Sequence, residues 1–236
     1  LLFFSLQVFA AKVDTANTYS QSMKKNIKAT VVIPTNSDAK VRFPVIYLLH
    51  GFGGNYKDWI TKAPGIKDLA DRYQTIIVCP DGNFASWYFD SPKMSDVRYE
   101  TYVATELVKF VDDKYNTIAD KQHRAITGLS MGGHGALYLA FKHQDVFSVV
   151  GSMSGGVDIR PFPNNWDISK LIGTYAAKPQ AWESSSVINL THLVAPKSLE
   201  IIIQCGTDDF FYKVNITCVG NFDSKIGTYF SYLRIG

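Results

Sequence analysis

One pentapeptide constrains this chain more than any other stretch: Gly128-Leu129-Ser130-Met131-Gly132. It stands between an apolar run ending in Ala125-Ile126-Thr127 and a stretch from Met131 to Lys142 rich in Gly, Ala and Leu. A strand that passes directly into a helix must turn sharply, and a side chain at either flanking position would collide across the turn. Glycines at both ends of G-x-S-x-G permit that turn and lift the central serine above the sheet edge. The pattern predicts strand, strained turn and helix in that order, with Ser130 Oγ presented at the turn.

The rest of the chain alternates in the same sense. Val45-Ile46-Tyr47-Leu48-Leu49 is continuously apolar, as expected of a strand buried on both faces. Ala29 to Ile33 is β-rich and stops at Pro34, and Thr75 to Cys79 is the next strand. Arg124 to Thr127 leads into the pentapeptide, and Phe147 to Met153 and Leu199 to Cys205 read as two more buried strands. Between them, Ile66, Leu69, Ala70 and Tyr73 share one helical face, and Val103, Leu107, Phe110 and Val111 mark a helix between Tyr99 and Tyr115. This alternation predicts an α/β protein with a mostly parallel central sheet and helices on both faces. With the pentapeptide in place, the expected architecture is the α/β-hydrolase fold. Residues 155–198, rich in Pro, Trp, Asn and Ser, read as an excursion over the sheet edge that helps build a substrate pocket.

The 236 residues are 46% hydrophobic, which suits a single domain over residues 11–236 with one large core. The net charge of +3 is scattered, with no basic stripe, and argues against a nucleic-acid partner. Leu1 to Ala11 is nearly all apolar yet too short to span a bilayer, and Val8 and Ala10 are small residues at signal-peptidase spacing. Residues 1–10 therefore read as a signal-peptide remnant, which predicts a secreted or periplasmic protein without stable membrane insertion. Cys79 and Cys205 end apolar runs and read as buried thiols. No Cys/His spacing resembles a metal site, and no cofactor is expected.

An exposed serine of this kind points to acyl transfer, which needs a base, an acid that orients the base, and an oxyanion hole. One oxyanion donor is expected from Met131 N–H, at a helix N-terminus where the dipole favours negative charge. The second is expected from Phe52 N–H, because Leu48-Leu49-His50-Gly51-Phe52-Gly53-Gly54 carries a buried strand into a glycine-rich turn. The acid should follow a later strand, where Cys205-Gly206-Thr207-Asp208-Asp209-Phe210 offers two carboxylates that spacing alone does not separate. The base is missing from its expected place: the histidines are His50, His123, His134, His143 and His192, and none follows Asp209. His134 reads as structural, His123 and His143 as surface residues, and His192 lies in the excursion, against the chain order of the fold.

Gly128-Leu129-Ser130-Met131-Gly132-Gly133-His134-Gly135-Ala136-Leu137 with Leu49-His50-Gly51-Phe52-Gly53-Gly54 resembles the esterase D family. That family includes feruloyl and acetylxylan esterases, S-formylglutathione hydrolases, tributyrin esterases and mycolyltransferases. Pro80-Asp81-Gly82-Asn83, Ser86-Trp87-Tyr88 and Asp90-Ser91-Pro92 are similar to its secreted bacterial members, and the resemblance covers about residues 12 to 215. It implies Ser130 as nucleophile, Asp209 as acid, Phe52 and Met131 as oxyanion donors and Trp87 near the substrate pocket; His50, in the same glycine-rich loop as Phe52, is also expected to line that pocket. Family members continue after the acid with a helix, a last strand and a loop carrying the histidine. Ile216 to Gly236 lacks clear helical periodicity and stops about where that loop would begin, so the C-terminal part reads as truncated and without its base.

The expected function is a secreted serine carboxylesterase acting on small acyl or feruloyl esters, on plant polysaccharides. The alternatives are an acyltransferase of the mycolyltransferase type and a non-catalytic carbohydrate-binding protein descended from an esterase.

Overall fold

The computed structural model describes residues 11–36 and 40–222. The signal-peptide reading of residues 1–10 and the tail from residue 223 lie outside the described residues. Seven strands, β1 (Lys12–Ser20), β2 (Lys25–Ile33), β3 (Val45–Leu49), β4 (Ile76–Pro80), β5 (Arg124–Gly128), β6 (Val149–Met153) and β7 (Glu200–Gln204), form one sheet in the order β1-β2-β4-β3-β5-β6-β7. The pairs from β4 through β3, β5 and β6 to β7 are parallel, whereas β1–β2 and β2–β4 are antiparallel. The C-terminal ends of the five parallel strands therefore share one edge, and the loops leaving that edge are where a site is built.

The helices are α1 (Asp58–Lys62), α2 (Ile66–Tyr73), α3 (Tyr99–Thr101), α4 (Val108–Lys114), α5 (Met131–Lys142), α6 (Ile168–Ile172), α7 (Pro179–Ser185) and α8 (Tyr212–Gly220). A π-helical segment, Tyr102–Leu107, joins α3 to α4. Alternate strand residues enter two separate cores, which puts helices on both faces of the sheet. Val45, Tyr47, Leu49, Ile76, Val78 and Ile126 pack with α5 and the α3–α4 segment. Leu48, Ile77, Val32 and Cys79 pack with α1 and α2.

Three elements differ from the sequence reading. β1 is a strand although its residues, KVDTANTYS, are largely polar: Ala16, Thr18 and Ser20 turn inward while the other face meets solvent, as suits the antiparallel rim of a sheet. In α2 only Ile66 and Ala70 are buried; Leu69 and Tyr73 lie outside the core. A helix does follow the Asp208-Asp209 loop. The buried face of α8 and its flanks reads Phe211, Asn215, Cys218 and Phe222, and the asparagine interrupts the apolar pattern that would have announced it. Asn215 is held inside by donating to Gly155 O at 2.8 Å and Phe211 O at 2.9 Å. Among the described residues no helix is long and apolar enough to cross a membrane.

Candidate functional site

At the turn between β5 and α5, Ser130 adopts φ 57° and ψ −116°, the region that L side chains rarely occupy. The strain is held on three sides. Ser130 N–H donates to Met153 O at 2.8 Å, His134 N–H donates to Ser130 O at 3.0 Å, and Leu129 N–H donates to Leu49 O at 3.3 Å. The flanking glycines are sterically required. A Cβ on Gly128 would lie 2.4 Å from Gly132 O, and one on Gly132 would lie 2.5 Å from Leu49 O. Ser130 Oγ has no hydrogen-bond partner among the described residues and opens into a cavity of about 480 Å3.

The cavity wall is mostly apolar: Phe52 from the loop after β3, Trp59 and Ala63 from α1 and its C-terminus, Leu129 beside Ser130, and Trp166 from the excursion. Asp58 and Lys62 supply the charges, paired across one helical turn at 2.6 Å. Trp59 is anchored by donating to Leu49 O at 3.2 Å. Trp166 is wedged among Trp87, Phe162, Phe210 and Phe211, with Phe210 stacked on it at 5.7 Å between ring centres.

The backbone N–H groups of Phe52 and Met131 have no acceptor among the described residues. Met131 opens a helix of 12 residues, where amides are left unpaired and the dipole is positive. Phe52 is carried by a loop fixed through its neighbours: Gly53 N–H donates to Phe84 O at 2.7 Å and Gly54 N–H to Gly51 O at 3.1 Å.

His50 lines the same cavity as Ser130 and Asp58, but both its ring nitrogens are engaged elsewhere. Nδ1–H donates to Gly51 O at 2.8 Å, which leaves Nε2 to accept Gly82 N–H at 2.7 Å. Burial holds its pKa below the usual histidine value, which favours the neutral form this pairing requires. His50 thus pins the Phe52 loop to the loop after β4 and is not free to take a proton from Ser130. Trp87 is also placed differently from expectation. It is buried, donates to Trp166 O at 3.2 Å, and supports Trp166 from behind instead of lining the cavity.

Asp209 follows β7 on the same sheet edge as Ser130. Its carboxylate accepts Phe211 N–H at 2.8 Å and its carbonyl accepts Tyr212 N–H at 2.9 Å at the start of α8, whereas Asp208 is exposed. Neither lines the cavity. The remaining histidines are engaged away from Ser130: His134 with Ser185 O, His123 with Asp120, His143 with Glu100 and His192 with Asn189 O. Trp59, Trp166, Asp58 and Lys62 lie in no motif; the expectation that 155–198 would shape a pocket pointed only toward Trp166, and Leu129 enters the wall as the variable position of the pentapeptide.

A family model described as "Putative esterase" matches residues 20–222. Esterase Rv1288 of Mycobacterium tuberculosis is 37% identical over 140 residues, 57% of this chain, and the chain spans only 30% of that relative's length. An acetyl esterase of Caldicellulosiruptor saccharolyticus is 28% identical over 229 residues, covering 84% of this chain and 81% of the relative. A solved ferulic acid esterase superposes with a TM-score of 0.80 at 28% identity, over 97% of this chain and 92% of that one.

Proposed function

This chain belongs to the esterase family, and on that premise we propose that it is a serine carboxylesterase that works through an acyl-enzyme on Ser130. The observation that carries the reading is the unpartnered Ser130 Oγ, held by a strained turn at the floor of an apolar cavity beside two unpartnered amides. In this reading Ser130 Oγ attacks the ester carbonyl. The negative charge that develops on the carbonyl oxygen is met by Phe52 N–H and Met131 N–H, the latter reinforced by the α5 dipole. Each such donor is worth about 10²–10³ in rate. The alcohol leaves, and water then releases the acid from Ser130.

Asp209 is the orienting acid of this proposal, since it stands on the shared edge with its backbone fixed at the head of α8. The base of this proposal is an imidazole, and each of the five histidines has another partner in this structure. The Phe52, Trp59, Leu129 and Trp166 wall suits a small acyl or aromatic acyl group, in keeping with the acetyl esterase and ferulic acid esterase it resembles. A polysaccharide-borne ester and a secreted or periplasmic location complete the proposal.

The unfilled base position favours a second reading, an ester-binding protein without turnover. Hydrolysis of p-nitrophenyl acetate decides between them, measured on this chain and on a form extended beyond Gly236. Turnover in the extended form that Ser130→Ala abolishes supports the esterase. A folded, extended form that is inert toward both acetyl and feruloyl esters supports the binding protein.

A further inference from the structure

Trp166 stands in the cavity wall on a backbone that few tryptophans adopt. Its φ is 50° and that of Asp167 is 58°, so two consecutive residues occupy the left-handed region. Such backbone persists only where its surroundings determine it. Here Asp167 is tied to Lys170 at 2.8 Å, and Trp166 O accepts the Trp87 indole N–H at 3.2 Å. A Cβ on Gly156 would lie 2.9 Å from the Phe211 ring and 3.0 Å from the Trp87 ring, so both rings close over bare backbone beneath Trp166.

The Trp166 indole itself is held unevenly. Trp87 and Phe211 are buried and Phe162 is half-buried, with ring centres 5.9, 5.2 and 5.3 Å from that of Trp166. These rings belong to the core or its margin. Phe210 is different: it is 65% exposed and stacks on the indole at 5.7 Å, the planes only 24° apart. Phe210 does not line the cavity, so Trp166 stands between the cavity and Phe210. Losing the Phe210 ring would free the indole without opening the core.

The acid loop places Phe210. Asp209 N–H donates to Gly206 O at 3.2 Å, the Asp209 carboxylate accepts Phe211 N–H at 2.8 Å, and the Asp209 carbonyl accepts Tyr212 N–H at 2.9 Å. Phe210 lies within this turn, its ring 4.4 Å from that of Phe211, so the bonds that fix Asp209 also fix Phe210. A wall residue ordered before a ligand arrives spares the ligand the cost of ordering it, about threefold to tenfold in affinity for one large side chain. A two-carbon acyl group on Ser130 cannot fill a cavity of about 480 Å3, whereas a larger one reaches the wall.

We propose that Phe210 is a positioning residue for acyl-group specificity. Stacked on Trp166, it keeps the indole preformed as the wall against which large acyl groups bind, and it joins that wall to the loop of the orienting acid. The inference rests on the esterase reading for the ester; the hold of Phe210 on Trp166 does not.

Phe210→Ala and Phe210→Tyr test it, each made with and without Trp166→Phe. Acrylamide quenching of tryptophan emission, taken as the difference between each protein and its Trp166→Phe counterpart, reads the exposure of Trp166. Phe210→Ala should raise it, and Phe210→Tyr, which keeps a ring, should not. With p-nitrophenyl esters, Phe210→Ala should lower the preference for 3-phenylpropanoate over acetate in kcat/KM by about threefold to tenfold, through KM, and Phe210→Tyr should restore it. Phe210 faces solvent, and unchanged melting temperatures verify that the variants fold. Unchanged quenching in Phe210→Ala overturns the proposal, and so does raised quenching with an unchanged preference while both esters are hydrolysed. If none of these proteins hydrolyses either ester, the esterase reading is what fails, and the quenching alone decides whether Phe210 holds Trp166.

Discussion

Ser130 holds its unfavourable backbone because its neighbours leave it no other, and the residues that enforce this are small. Gly132→Ala would drive a methyl group into Leu49 O, a backbone atom that cannot move without shifting β3. It should destabilise the fold by about 2 kcal/mol and lower the melting temperature by about 4–8 °C, read by differential scanning calorimetry. His50 is the other residue on which the site depends. His50→Asn keeps a donor for Gly51 O but removes the acceptor for Gly82 N–H. A buried amide left unpaired costs about 1–3 kcal/mol. Because the Phe52 loop is released with it, kcat of the active enzyme should fall more than KM rises, which steady-state kinetics will separate. The strained turn at Ser130 was legible in the sequence because a turn this tight demands glycines at fixed spacing, Gly128 and Gly132. The engagement of His50 was not, since its partner Gly82 is 32 residues away and becomes its neighbour only through the β3–β4 pairing.

The elements divide by how many faces they bury. β3, β4 and α5 are covered all round and announce themselves as apolar runs, and α5 has the predicted bounds, Met131–Lys142. β1 and α8 bury one face that includes polar side chains, Thr18 and Ser20 in one and Asn215 in the other, so hydrophobic periodicity passes over them. Trp166 was legible only as part of a pocket-building excursion, because its place depends on ring packing with Phe162, Phe210 and Phe211. The burial of α5 from Met131 to Phe141 also has a pH signature. His134, at the end of its first turn, donates from Nε2 to Ser185 O at 2.9 Å, and desolvation lowers its pKa to about 4. The unfolded chain then binds a proton near pH 6.5 that the folded chain refuses until about pH 4. Stability is therefore full above pH 6.5 and falls as the pH drops through that window, by on the order of 3 kcal/mol from this residue alone. Urea unfolding at pH 7 and pH 4.5 should show the decline, and His134→Gln should flatten it; an equal decline in both would remove His134 as the cause.

At the scale of the whole molecule, five parallel strands bring the loops after β3, β4, β5 and β7 to one edge. That common edge gathers the Phe52 amide, the His50–Gly82 pin, Ser130 and Asp209 from segments scattered over 160 residues. The alternation of apolar runs made the fold class readable. The assignment of a base was not readable, because no histidine among these residues is both unengaged and near Ser130. An acyl-transfer site with its serine and oxyanion hole but no base keeps roughly 10³–10⁴-fold acceleration over water. On the esterase reading, with every histidine engaged away from Ser130, the protein should acylate slowly and deacylate more slowly still.

That difference makes the covalent intermediate the most direct test of the central claim. The protein is incubated with p-nitrophenyl acetate, quenched in acid, digested, and the peptides weighed by mass spectrometry. The account predicts one acetyl group on the peptide containing Ser130 and none on the Ser130→Ala protein. Acetylation confined to other peptides, with Ser130 unmodified while p-nitrophenol is released, would contradict it.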